Sequence, residues 1–254
     1  MVIGGGNNTA TVPVVTQTYA GTTTLNRATT IRGDGQTAGN TIFLGPIAGT
    51  VGTLTIDAPN VAAVVPFTTL NTATAGVVQL QNDNTFTGDI LVSGAILSVG
   101  TGILADVRNQ IPDASNVTLT GVSAAKQSGL VLSGDGETIN NLNGDANSFI
   151  QSGNTASSTT LTRLVVNGVG TFLGLYNGGN NTGMTLEKAG SGTFTLGGIA
   201  DNATGRAIVS SGILQLAKTS SSSIHAAAGD LIIKGTAPCN SPARAEIKFT
   251  TRST

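Results

Sequence analysis

Thr87-Gly88-Asp89-Ile90-Leu91-Val92-Ser93-Gly94-Ala95-Ile96-Leu97-Ser98-Val99 and Thr204-Gly205-Arg206-Ala207-Ile208-Val209-Ser210-Ser211-Gly212-Ile213-Leu214-Gln215-Leu216 are one motif written twice. Each copy reads as a turn, a short apolar strand, a turn of small residues and a second short apolar strand. In a repeat architecture each unit buries its apolar face against its neighbours, so most residues serve stacking rather than chemistry. Partial copies lie further out. Gly52-Thr53-Leu54-Thr55-Ile56, Gly76-Val77-Val78-Gln79-Leu80 and Gly192-Thr193-Phe194-Thr195-Leu196 each set a glycine before a strand pattern. The last two precede the long copies by nearly equal distances, so a whole module is duplicated. Thr18-Tyr19-Ala20-Gly21-Thr22-Thr23-Thr24-Leu25 aligns with residues 85–92 as a third, more diverged copy.

Composition agrees with short strands and tight turns. The 254 residues include 35 Gly but only 7 Pro and no Trp, and hydrophobic residues reach 39%, too many for a disordered chain. Val, Ile and Leu fill the apolar positions and Thr, Asn, Ser and Gly the polar ones. The one stretch with helical spacing, Gly102 to Asn109, is short and is soon followed by Pro112. Strands of four or five residues at such brief intervals leave no room for crossover helices. A parallel β-helix meets this constraint by pairing each strand with its equivalent one rung away, roughly 4.8 Å distant.

The expected interior includes Ile90 and Val92, Ile96 and Val99, Leu54 and Ile56, Val117 and Leu119, Leu130 and Leu132, Phe194 and Leu196, and Leu214 and Leu216. With roughly 20 to 25 residues per rung, the chain supplies about ten rungs and a rod on the order of 50 Å. Turn asparagines such as Asn82, Asn84, Asn140, Asn141, Asn143, Asn180 and Asn181 are expected to bond between rungs. One continuous domain spans 1–254, with modules near 18–75, 76–186 and 187–236 and a tail or partial rung at 237–254. Ser157-Ser158-Thr159-Thr160 and Ser220-Ser221-Ser222-Ser223 read as loops leaving the stack.

Charge and motif content narrow the function. Twelve Lys and Arg against 13 Asp and Glu, scattered singly, give a net charge of −1 and no nucleic-acid footprint. Arg244, Lys248 and Arg252 are interrupted by Glu246 and read as a solvated tail. Lone Cys239 cannot close an internal disulfide, which fits export. The residues after Met1 have no basic n-region or long apolar h-region, so a secretion signal is expected to be absent or already removed, and no apolar run reaches membrane-spanning length.

No catalytic, cofactor-binding or metal-binding residue is assigned. The closest carboxylate pair, Asp135 and Glu137, falls in an expected solvated turn, and tyrosine is limited to Tyr19 and Tyr176, too few to line a sugar cleft. His225, the single histidine, lacks a nucleophile-elbow context, and one His with one Cys excludes the usual zinc sets. Gly33-Asp34-Gly35 and Gly190-Ser191-Gly192 read as turns rather than phosphate loops. Thr-x-Thr pairs at 53–55, 85–87, 118–120, 160–162 and 193–195 raise ice or crystal binding, but they do not recur once per rung.

Several segments resemble the passenger-associated repeat of bacterial autotransporters. Asn84-Thr85-Phe86-Thr87-Gly88 is close to that repeat's Asn-Thr-Tyr-Thr-Gly turn, and Leu186-Glu187-Lys188-Ala189-Gly190-Ser191-Gly192-Thr193-Phe194-Thr195-Leu196 is close to its Leu-Thr-Lys-Thr-Gly-Ser-Gly-Thr-Leu-Thr-Leu. Residues 111–119 and 137–145 resemble its inter-repeat segments. The likeness spans roughly residues 76 to 236, and Asn202-Ala203-Thr204-Gly205 departs from it by replacing the aromatic turn.

The resemblance implies an all-β, right-handed parallel β-helix (β-solenoid) built from diverged repeats. It also implies a secreted or cell-surface bacterial protein acting as a structural stalk or filament-forming subunit, with adhesion to surface glycans as a further expectation. The alternative is a β-helical polysaccharide-active enzyme or an ice- or glycan-binding solenoid. No cofactor, nucleic acid or membrane span is expected. The expected partners are neighbouring rungs of a longer chain or copies of this one, joined end to end by β-augmentation.

Overall fold

The computed structural model describes residues 1–4, 16–33, 40–66, 76–101, 109–134, 136–153, 162–177, 184–202, 205–219, 224–227, 229–234 and 246–249. Among them every regular element is a strand, and the strands pair in parallel.

The first sheet has ten strands, in spatial order Val2–Gly4, Thr29–Arg32, Thr50–Asp57, Thr87–Ser93, Val117–Thr120, Leu142–Gly144, Gly170–Phe172, Thr193–Gly198, Ile213–Lys218 and Glu246–Phe249. The second has seven, running from Gln17–Tyr19 through Asn40–Phe43, Val77–Leu80, Ile96–Val99, Ser128–Leu132 and Ser148–Ser152 to Leu175–Asn177. The third has five: Gly136–Ile139, Thr162–Val166, Met184–Lys188, Gly205–Val209 and Leu231–Ile233. A two-stranded pair, Thr23–Thr24 with Ile47–Ala48, completes the list.

The chain visits the first sheet, then the second, then the third side, and returns to the first; one such circuit is a rung. Hydrogen bonds put the two-stranded pair on the third side: Thr85 N–H donates to the Ile47 carbonyl, Asn84 N–H to the Asn109 carbonyl, and Gln110 N–H to the Glu137 carboxylate. This order of parallel strands is compatible with a β-solenoid. Rungs are less regular than a period of 20 to 25. Register partners lie 19 residues apart at Val77 and Ile96 but 37 apart at Asn40 and Val77, because the second interval contains the excursion at 58–66. That excursion meets another through a parallel bridge from Val64 to Lys126, whose ammonium bonds the Ala58 and Pro59 carbonyls at 2.8 and 3.2 Å.

The duplicated motif lands on different sides. Residues 87–99 run from the first sheet to the second, whereas residues 205–216 run from the third to the first. In both modules the opening strand pairs with the closing one, Val77 with Ile96 and Thr193 with Ile213. The motif therefore encodes a strand, a corner and a strand, and two different corners accept it.

The expected interior is inside. Each residue of that set is fully buried except Leu216, which is partly buried. Ile31, Ile56, Val92, Leu119, Gly144, Phe172, Leu196 and Leu216 form one continuous inward column through the first sheet.

Aromatic rings enter this narrow space where a neighbouring residue has no side chain. The Phe172 ring lies 2.4 Å from where a Cβ on Gly144 would stand, the Phe149 ring 2.3 Å from that of Gly129, and the Tyr176 ring 2.2 Å from that of Gly205. Close packing leaves no alternative site for a ring of this volume. At the other end, Tyr19 stacks on Phe43 with centroids 4.8 Å apart.

One expectation changes near the end of the sequence. Glu246–Phe249 pairs with residues 213–216, so the backbone at Lys248 forms a partial rung, the second of the two forms expected for residues 237–254. Residues 102–108, the stretch with helical spacing, lie outside the described residues, as do the Ser-rich loops, Asp34, Gly35, Asp135, Asn180, Asn181, Cys239, Arg244 and Arg252.

Candidate functional site

The polar side chains with the most constrained geometry stand where the strand ladder is interrupted. On the third side no strand connects Ile47 with residues 109–111, and Asn84 spans the break. Its Oδ1 accepts from Ile47 N–H at 2.7 Å, and its Nδ2 donates to the Gln110 carbonyl at 2.6 Å. The adjacent Asp83 carboxylate accepts from Asn109 N–H at 2.7 Å. A side-chain amide has the donor and acceptor of a peptide group, so a buried asparagine can replace one missing residue of a ladder.

The same arrangement recurs on the second side, beyond Leu175–Asn177. Asn202 Oδ1 accepts from Tyr176 N–H at 2.9 Å, and its Nδ2 donates to the Ala226 carbonyl at 2.8 Å. Asp201 accepts from His225 N–H at 2.7 Å. In both places the Asn backbone N–H reaches the next rung at 2.9 Å, on Asn109 in one case and His225 in the other. The turn that departs from the autotransporter pattern by losing its aromatic residue keeps the asparagine that bridges the rungs. The shared Asp-Asn dipeptides at 83–84 and 201–202 were the available sequence signal.

Glu137 corrects an expectation. It sits in a strand and is buried, 5% exposed, rather than solvated in a turn. Its Oε2 accepts from Gln110 and Ile111 N–H groups, both at 3.0 Å, and its Oε1 from Thr138 N–H at 3.0 Å. Asn84 and Glu137 thus stitch the third side from below and above residues 109–111. Burial pushes the Glu137 carboxyl up to about 8, against the pull of the Ile111, Thr138 and Gln110 N–H groups, and the Asp113 charge adds to the rise.

Lys188 also faces inward, in register with Val166 and Val209. Its ammonium bonds the Asn167 and Gly190 carbonyls at 3.2 and 3.0 Å and the Ala189 carbonyl, gathering two stacked corners. Burial lowers Lys188, and likewise Lys218, to about 8.

These shifts give a signed prediction. Between about 4.5 and 8 the folded chain holds a proton on Glu137 that the unfolded chain releases, so stability falls as pH rises through that window. Between about 8 and 10.5 the unfolded chain holds protons that folded Lys188 and Lys218 lack, so stability rises. Denaturant midpoints measured from pH 5 to 10 should pass through a minimum near 8. Glu137→Gln should flatten the acidic limb alone; an unchanged limb in that variant would remove Glu137 as its source.

The remaining candidates also bridge rungs. Glu187 pairs with Arg163 one rung back and accepts from the Ser210 hydroxyl one rung on, with Lys234 at 3.9 Å. The Tyr176 hydroxyl lies between the Met184 and Arg206 carbonyls, and burial raises its pKa. His225 is half-exposed, with Nδ1 2.8 Å from Asp201 Oδ1. The His225 backbone N–H, then its ring, hold the Asp201 carboxyl below its usual range.

On the first sheet, Thr30, Thr55, Thr118, Thr171 and Thr195 share an outward column, but Leu91 and Asn143 interrupt it. The hydroxyl row is thus discontinuous. Among the described residues no three His, Cys, Asp or Glu side chains converge as a metal site, and no helix is long and apolar enough to cross a membrane. Comparison with protein-family models, curated proteins and solved structures finds no match.

Proposed function

We propose that this chain is a rigid structural element of an exported bacterial protein: a right-handed β-helix of diverged repeats that acts as a surface stalk or filament-forming subunit and has no catalytic centre of its own. One observation carries the reading. The buried polar side chains that would ordinarily suggest chemistry, Asn84, Asn202, Glu137, Glu187 and Lys188, are all engaged in holding one rung to the next. Ten parallel strands in one sheet supply a continuous ladder along the proposed rod axis. The autotransporter-like segments and the single cysteine support export, and display of surface-binding loops is the expected use.

Electron microscopy of the purified chain tests this directly. Nine strand spacings in the first sheet correspond to a rod of roughly 45 Å, and protease should cut outside the strands and leave the ladder intact. Compact globular particles, or cleavage through the strands of the first sheet, would overturn the reading.

A further inference from the structure

Among the described residues, Leu231–Ile233 and Thr23–Thr24 each have a strand neighbour on one side only. Leu231–Ile233 is also unusually apolar for an edge. All three side chains are exposed, including Leu231 and Ile233, whose register partners Ala207 and Val209 are fully buried. Among the described residues, no strand thus lies over the last inward pair on the third side.

The open groups can be assigned. Ala207 N–H donates to the Asp230 carbonyl and Lys234 N–H to the Val209 carbonyl, so residues 230, 232 and 234 turn their peptide groups toward the preceding rung. In a parallel ladder the alternate residues, Leu231 and Ile233, turn theirs to the open side. At the opposite end Thr23 and Leu25 N–H groups donate to the Pro46 and Ala48 carbonyls of the following rung, which leaves Thr24 facing the open side. The two edges carry complementary halves of one parallel ladder.

Resting on the rod reading above, we propose that these edges join two copies head to tail, with Leu231 beside Thr23, Ile232 beside Thr24 and Ile233 beside Leu25. Leu231 and Ile233 then meet Thr23 and Leu25 on the inward face, extending the interior. Because the chain passes from the second side to the third, the same join carries Gln17–Tyr19 over Ile224–Ala226. It also brings Val2–Gly4 of the incoming copy and Glu246–Phe249 of the standing copy to the same rung of the first sheet. One must yield, and the three-residue Val2–Gly4, with Val2 54% exposed, is the weaker holder. The edge thereby gains the neighbour that open strands otherwise seek without specificity.

Disulfide trapping tests the register. In a Cys239→Ser background, Thr24→Cys and Ile232→Cys would stand on adjacent strands within the Cα separation a disulfide accepts, whereas inside one copy they are about eight strand spacings apart, roughly 38 Å. On oxidation the double variant should give a ladder of dimers, trimers and higher species on a non-reducing gel. Mixing the two single variants should give dimers only. Monomers alone, or a ladder that stops at dimers in the double variant, would overturn the join. Electron microscopy of the same samples separates the two failures, because rods that do not cross-link sink the join alone, whereas the absence of rods sinks the rod reading too.

Discussion

Asn84→Ala should lower the unfolding free energy by roughly 2–6 kcal/mol, because it removes both halves of a buried bridge and takes a partner from two backbone groups, each loss costing about 1–3 kcal/mol. The Ile47 N–H loses its Asn84 acceptor and the Gln110 carbonyl its Asn84 donor, and alanine replaces neither. Asn202→Ala should behave alike through Tyr176 N–H and the Ala226 carbonyl. Asn82 supplies the control. It also bonds across rungs, to the Leu44 carbonyl at 3.0 Å, but from an exposed position where water can replace it. Asn82→Ala should cost no more than about 0.5 kcal/mol. Denaturant titration of the three variants decides: equal losses at positions 82 and 84 would mean that the amide bridge does not hold the third side together.

A second large effect is expected where a ring occupies the place of a missing side chain. Gly129→Ala puts a methyl group 2.3 Å from the Phe149 ring, which is fully buried and has no exposed space to move into. Overpacking of this kind costs about 1–3 kcal/mol. Phe149→Ala alone leaves a cavity and should cost about 3–5 kcal/mol. Combining the two relieves the clash, so the double variant should be less destabilised than the sum by about 1 kcal/mol or more. Additive losses would show that ring and glycine are not coupled.

Part of this was legible in advance. Alternation marked Ile90, Val92, Leu119 and Leu130 as interior, and the glycine and small-residue turns marked the corners, because both signals are local. Asn84 was recognisable as a residue that bonds between rungs. Its equivalence with Asn202 was not, since the aromatic Phe86 of the first turn has no counterpart in the second and the shortened turn looked like a loss. Glu137 was misread because Gly134-Asp135-Gly136 has the composition of a solvated turn; its burial depends on residues 110 and 111, a full rung earlier. The aromatic–glycine pairs were likewise out of reach. Gly129 and Phe149 become neighbours only through a register that pairs strands twenty residues apart.

The sequence by itself determined that the chain would form short strands joined by tight corners and that residues 87–99 and 205–216 would each form a strand, a corner and a strand. Those properties follow from turn chemistry and two-residue alternation, which act over a few residues. Only the tertiary structure decided on which side each copy would lie, placing residues 87–99 on the first and second sheets and residues 205–216 on the third and first. The side reached depends on the cumulative length of every preceding excursion, from the 19 residues between Val77 and Ile96 to the 37 between Asn40 and Val77. The ladder that fixes it is made of hydrogen bonds between rungs, which no local pattern encodes.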